Sequence, residues 1–215
     1  MARNNAEALT KMAEASPLAD LLELRLDVMH AFDLEELIHA ATRPVIVTYR
    51  SKKEGGSGLA NYETRIRYLL EAMERGADFV DVEFSIPQFY RQEIFHTKAR
   101  SRRIVSRHFL NKTPSADALE DTLRRMTATG ADIIKIITHA KEPEDTLRVL
   151  GLIPLARNLG TRIIAFCMGP AGRISRIATL MMGGYLTFAS LEEGQESASG
   201  QIPVQKMKKI LDMLS

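Results

Sequence analysis

The residue with the sharpest chemical meaning is Lys135, set in the run Ile133-Ile134-Lys135-Ile136-Ile137. Lysine is rarely buried without a partner. Burial disfavours an ammonium and favours the neutral amine, which is a nucleophile toward a carbonyl carbon. The plain alternative is a lysine that snorkels out of an edge strand. His108 closes the apolar run before this one, in Ser106-Arg107-His108. An imidazole titrates near neutrality, at about 6.5, so it suits proton transfer, although a histidine at a strand end is also an ordinary structural residue. An amine and an imidazole on successive strands make a plausible nucleophile and acid/base pair.

Strand side chains alternate between faces, so parity sorts the other polar residues. Glu23, Arg25 and Asp27 share one face of Leu21–Leu26 and its continuation. Thr48 and Arg50 share a face, as do Asp81 and Glu83, and Ser106 and His108. One such cluster fits a surface strand. Four clusters late in their strands point to a polar pocket at the strand C-termini. Glu54-Gly55-Gly56 follows Arg50, where glycines let the chain turn tightly. Ser197-Ala198-Ser199-Gly200-Gln201 is small and polar and reads as a loop or a lid. His30, His39, His96 and His139 show no metal spacing. No phosphate-binding glycine loop and no Cys-x-x-Cys motif occurs. The ten methionines read mainly as core filling; Met168, at a strand end, is the one placed near a ligand.

The elements that must hold these residues are short apolar runs separated by helices. Strands are predicted near Leu21–Leu26, Val45–Tyr49, Phe79–Phe84, Ile104–His108, Asp132–Thr138, Arg162–Met168 and Tyr185–Ala189. They recur at about one βα unit. Helices are predicted over Tyr62–Arg75 with Gly76 as terminator, from Thr113-Pro114-Ser115 to Gly130, over Pro143–Asn158 before Gly160, and over Val204–Leu214. Alternating β and α calls for a parallel sheet, either a barrel or a doubly wound sheet. Seven strands fall one short of a closed (β/α)8 barrel.

The 215 residues match one domain, 1–215. Apolar residues make up 45% and charged residues 26%, the balance of a soluble globular protein. A net charge of +2 gives no electrostatic case for nucleic acid or an anionic membrane. No apolar stretch is long enough for a transmembrane helix, and the polar start carries no secretory h-region. The lone Cys167 excludes an intrachain disulfide and fits a reducing cytoplasm.

Together the ordered motifs resemble the type I 3-dehydroquinate dehydratase family. They are Glu23-Leu24-Arg25-Leu26-Asp27, Arg50 to Gly56, Asp81-Val82-Glu83, Ser106-Arg107-His108, Ile134-Lys135-Ile136, Met168 through Ser175-Arg176, and Ser197 to Gln201. The resemblance implies a (β/α)8 barrel that removes water from 3-dehydroquinate to give 3-dehydroshikimate in the shikimate pathway. It implies that Lys135 forms an imine with the substrate ketone and that His108 is the general base. Glu54 would orient and tune that histidine, and Asp81 would support it as an acidic residue. Arg176 would hold the substrate carboxylate, where a guanidinium fork fits. Glu23, Arg25 and Arg50 would contact substrate hydroxyls and carbonyl, and Ser197 and Gln201 would form the lid. No metal or organic cofactor is implied. The partner is the small-molecule substrate, and a homodimer is the default assembly.

Three departures accompany the resemblance. The apolar strand that the family places ahead of Glu-x-Arg is missing, because Met1–Ala15 is polar and reads as helix. Edges beside such a gap are prone to association. Arg107 and Phe109 flank the histidine where the family often has an aromatic or Asn before it and an Asp after it. Phe166 stands where methionine is common. Two other readings remain beside dehydration. An aldolase-type Schiff-base barrel would share the lysine but not Arg50, Glu54, Arg176 and the Ser-x-x-x-Gln lid. A non-catalytic relative would bind a similar ligand without turnover.

Overall fold

A computed structural model describes residues 1–194 and 196–214. The chain forms two compact units, Met1–Val105 and Ser106–Ser215.

In the first unit, helix α1 (Asn5–Ala15) precedes strand β1 (Leu22–Arg25). Asn4 caps α1 by accepting the Glu7 N–H at 3.0 Å, and Ala8 and Met12, four apart, are its buried side chains. The polar start is thus a helix, and among the described residues no strand precedes β1. Next come α2 (Leu34–Ala40), β2 (Val45–Thr48), α3 (Tyr62–Glu74), β3 (Phe79–Glu83) and α4 (Gln88–His96), then the start of β4 (Arg102–Phe109). Short 3-10 turns, Leu26–Val28 and Lys52–Glu54, follow β1 and β2. β1, β2 and β3 are parallel neighbours, and β4 lies beside β3. α3 buries Ile66, Leu69 and Met73 along one stripe and packs on β2 and β3. Asn61 caps it, and Gly76, at φ 88°, ends it as its position predicts.

The second unit holds the end of β4, α5 (Ala116–Thr127), β5 (Ile133–His139), α6 (Pro143–Leu150), α7 (Leu152–Asn158), β6 (Arg162–Met168), α8 (Ser175–Met181) and α9 (Val204–Leu214). β5 and β6 are parallel, with Lys135 opposite Ile164 and His139 opposite Met168. α5 buries Leu119, Leu123 and Met126 on one face, each worth about 1.5–3 kcal/mol of apolar burial. β5 is a buried apolar run: Ile133, Ile134, Ile136 and Ile137 are all at most 2% exposed.

Two expectations need correction. The run Pro143–Asn158 is two helices rather than one, because Gly151 ends the first and starts the second. Tyr185–Ala189 is not a strand: the Tyr185 N–H reaches the Ile163 carbonyl at 2.7 Å, but Ser190 then pairs with the approach to α9, through Ile202 and Val204. Its backbone is divided between two partners, so no ladder forms. The segment before α5 differs in detail, since Ser115 is the cap and Pro114 lies just outside it.

Candidate active site

The register bears out the parity expected in the first unit. Arg25 pairs with Thr48 and Thr48 with Asp81, so Glu23, Arg25, Thr48, Asp81 and Glu83 fall on one face. Arg50, two residues beyond Thr48, joins them. Its guanidinium, 3% exposed, donates to Asp81 Oδ2 at 2.7 Å and Glu83 Oε1 at 3.3 Å, with Glu54 Oε2 at 3.8 Å. A buried charge is tolerated when it is paired and hydrogen-bonded. Burial would lower the Arg50 pKa, but the charges of Asp81, Glu83 and Glu54 outweigh it and raise it. The Thr48 hydroxyl donates to Glu23 at 2.9 Å, which fixes that carboxylate along the sheet.

The loop after β2 is built on carboxylates from neighbouring strands. Asp27 accepts both a fork from Arg25, at 2.8 and 2.9 Å, and the N–H groups of Arg50 and Ser57, at 3.1 and 3.0 Å. Burial opposes its ionisation, yet these donors hold its carboxyl below the ordinary range. Glu83 accepts from Ser51 N–H and Oγ, both at 2.8 Å, and from Arg65. Glu54, also buried, accepts the Ser85 hydroxyl at 2.6 Å. Gly55 takes φ 86°, and a Cβ on Gly56 would lie 2.2 Å from the Arg50 carbonyl. This is the tight turn that the glycine pair predicts. Asp27, Glu83 and Ser51 stand in the sequence motifs without an assigned role. Arg65, on α3, gives no sign of one in the sequence.

In the second unit Lys135 is 4% exposed, and its Nζ sits 4.2 Å from the centroid of the Phe188 ring. A buried interior lysine replaces the alternative of a snorkelling edge residue. His108 is half-buried, one residue before the end of β4 and on the parity of Ser106. Met168 ends β6 on the face of Lys135, and its carbonyl takes the Ala140 N–H at 3.0 Å.

Arg176 is 1% exposed and starts α8 with Ser175. The Ser175 hydroxyl, bonded to the Cys167 N–H at 2.8 Å and donating to the Gly172 carbonyl, ties that start to β6. The guanidinium donates to the carbonyls of Phe188 at 3.4 Å and Ser199 at 3.2 Å, while its Nε has no partner. Among the described residues no carboxylate pairs with it. Burial pushes its pKa down to about 10. An unneutralised guanidinium beneath a loop is a seat for an anion. That loop is the predicted lid: Gln201 Oε1 accepts from Ser197 N–H at 2.7 Å and Oγ at 3.2 Å. Phe188, which touches both cations, escapes sequence reasoning because an aromatic in an apolar run reads as core.

Parallel strands with polar residues at their C-terminal ends in the first unit, and a strand carrying a buried lysine in the second, define a β/α protein of the kind that barrel enzymes are built from. A statistical description of type I 3-dehydroquinase matches residues 1–215. A 3-dehydroquinate dehydratase of Methanococcus maripaludis is 36% identical over 97% of this chain and 94% of its own. Among solved structures, the type I 3-dehydroquinate dehydratase of Clostridium difficile, determined with covalently modified comenic acid, superposes with a TM-score of 0.88. It has 26% identity, and the match covers 99% of this chain and 89% of the other. The 3-dehydroquinate dehydratase of Geobacillus kaustophilus gives 0.85, with 31% identity over 97% and 86%. The chain belongs to the type I 3-dehydroquinase family. Its fold is the parallel barrel type of these structures, with six strands among the described residues.

Proposed function

We propose that the chain dehydrates 3-dehydroquinate to 3-dehydroshikimate through an imine on Lys135. The family match over residues 1–215 supports the reaction, and the observation that carries the mechanism is the burial of Lys135 among isoleucines. The Lys135 amine adds to the ketone, and the carbinolamine hydroxyl, taking up one proton from solvent, leaves as water to give a protonated imine. That cation draws electrons from the adjacent C–H, and His108 takes the proton. The hydroxyl leaves as water with the proton returned by His108, and hydrolysis of the imine frees product and amine. Arg176 holds the substrate carboxylate, an assignment supported by its burial with an unpartnered Nε and, among the described residues, no paired carboxylate. Glu23, Arg25 and Arg50 contact hydroxyls and carbonyl, Met168 lines the ligand, Asp81 supports the cluster, and Ser197 and Gln201 close over it. Glu54 belongs to the proton-transfer machinery. The enzyme works in the cytoplasm as a homodimer, which sedimentation would show.

The test is intact-protein mass after mixing with 3-dehydroquinate and borohydride. An adduct mapping to Lys135 is expected, and Lys135→Ala should lose both adduct and turnover. A folded protein that gives no adduct would instead be a non-catalytic relative.

A further inference from the structure

Two buried cations of the second unit rest on one aromatic pair. Lys135 Nζ lies 4.2 Å from the Phe188 centroid, and the Arg176 guanidinium carbon lies 4.6 Å from the Phe166 centroid. The two rings are 6.3 Å apart, inclined at 56°. Phe166 belongs to the face of β6 that carries Lys135's partners, since Lys135 pairs with Ile164 and Ile137 with Phe166. Phe188 also meets both cations, Lys135 through its ring and Arg176 through its carbonyl, at 3.4 Å.

A ring face carries a negative quadrupole that attracts a cation without taking its proton. Placed against Lys135, it holds the nitrogen in place as the ammonium, from which one proton must leave before the lone pair adds to a carbonyl. After addition to a ketone the positive charge lies on the same nitrogen, so the same face supports it then.

We propose that Phe188 is a positioning residue for the Lys135 nitrogen, holding it through its π face, and that Phe166 does the same for Arg176. The inference rests on the Schiff-base reading above. Phe188 fixes where the amine attacks and supports the iminium that follows; substrate affinity depends instead on Arg176.

The test replaces Phe188 by Leu or Met, which keep apolar bulk and remove the π face, and by Tyr, which keeps the face. Phe188 is half-buried, and circular dichroism checks each fold. In Phe188→Leu and Phe188→Met, kcat should fall about 3- to 30-fold, the range of one partly desolvated cation–π contact, with KM within about threefold. Phe188→Tyr should restore kcat to within about twofold. Borohydride should still trap Lys135 in every variant, more slowly in Leu and Met. Wild-type kcat and trapping rate in both Leu and Met would overturn the inference, as would a loss confined to KM or one that Tyr fails to rescue. If wild-type protein gives no adduct, the Schiff-base reading itself falls; if it gives the adduct while Phe188→Leu matches it, only the inference does.

Discussion

On the function proposed above, Arg176 stores its role in a single side chain. The folded chain carries its guanidinium at 1% exposure with two carbonyl acceptors and no carboxylate among the described residues. Such a charge is costly to the fold and is repaid only by an anion. Arg176→Met should therefore raise KM about 100-fold, the loss of a charge-assisted fork worth about 3 kcal/mol, without lowering the melting temperature. Steady-state kinetics beside a thermal melt measures both; a lower melt with a normal KM would refute the assignment. The pH dependence has a definite sign. The folded value, about 10, lies below the ordinary arginine range, so the penalty is fully present below pH 10 and is relieved as pH rises above it. Much at this scale is legible in the chain. Alternation alone pairs Glu23 with Arg25, Thr48 with Arg50 and Asp81 with Glu83, each pair on one face of its own strand; that the pairs share one face comes from the register between the strands. Arg65 and Phe188 are not legible, since a helix arginine and a core-like aromatic acquire their roles only from what folds against them.

The element that most shapes the first unit's polar face is the loop from Ser51 to Gly58, and Asp27 is its anchor. Asp27→Asn keeps the shape and removes the charge that the N–H groups of Arg50 and Ser57 point at. It should cost about 1–3 kcal/mol near neutral pH. Because the folded carboxyl lies below its ordinary 3.8, the stability it contributes is present above that pH and lost as pH falls through the lower folded value. The variant and wild type should therefore converge in acid, as denaturant melts at about pH 7 and about pH 3 would reveal. On the second unit, Gly200 has φ 84°, and a Cβ there would come within 2.7 Å of the Gly169 carbonyl. Gly200→Ala should displace the Ser199 carbonyl from Arg176 and raise KM several-fold with kcat less affected, as initial rates would show. Helix positions are readable from caps and terminators. The break at Gly151 and the missing ladder at Tyr185–Ala189 are not, because a glycine inside an apolar helical pattern and a short apolar run each admit two structures.

At the scale of the whole molecule, recurring βα units make the parallel class legible, and the polar start of the chain reads correctly as helix. Which strands find ladder partners depends on contacts distant in sequence, and so the seventh predicted strand does not form. β1 stands at the end of the strand order; it is only four residues long and bears Glu23 and Arg25, features that blunt an edge against association. If residues 1–215 are one domain, unfolding is a single event. Tyr49, Tyr62, Tyr68 and Tyr90 lie in the first unit and Tyr185 alone in the second, with no tryptophan to obscure them. Tyrosine emission should then follow the first unit while far-ultraviolet dichroism follows the whole chain, and the two melts should coincide; separated midpoints would mean two domains. The only thiol in the molecule has a consequence of its own. Cys167 is fully buried between Thr138 and Ser175, and burial pushes its thiol up from the ordinary range. A thiol that is neither exposed nor ionised is inert to alkylating dyes. A cysteine introduced on the surface would therefore be the sole address for a fluorophore, and the Ser197–Gln201 loop could be watched opening and closing without first removing the native residue.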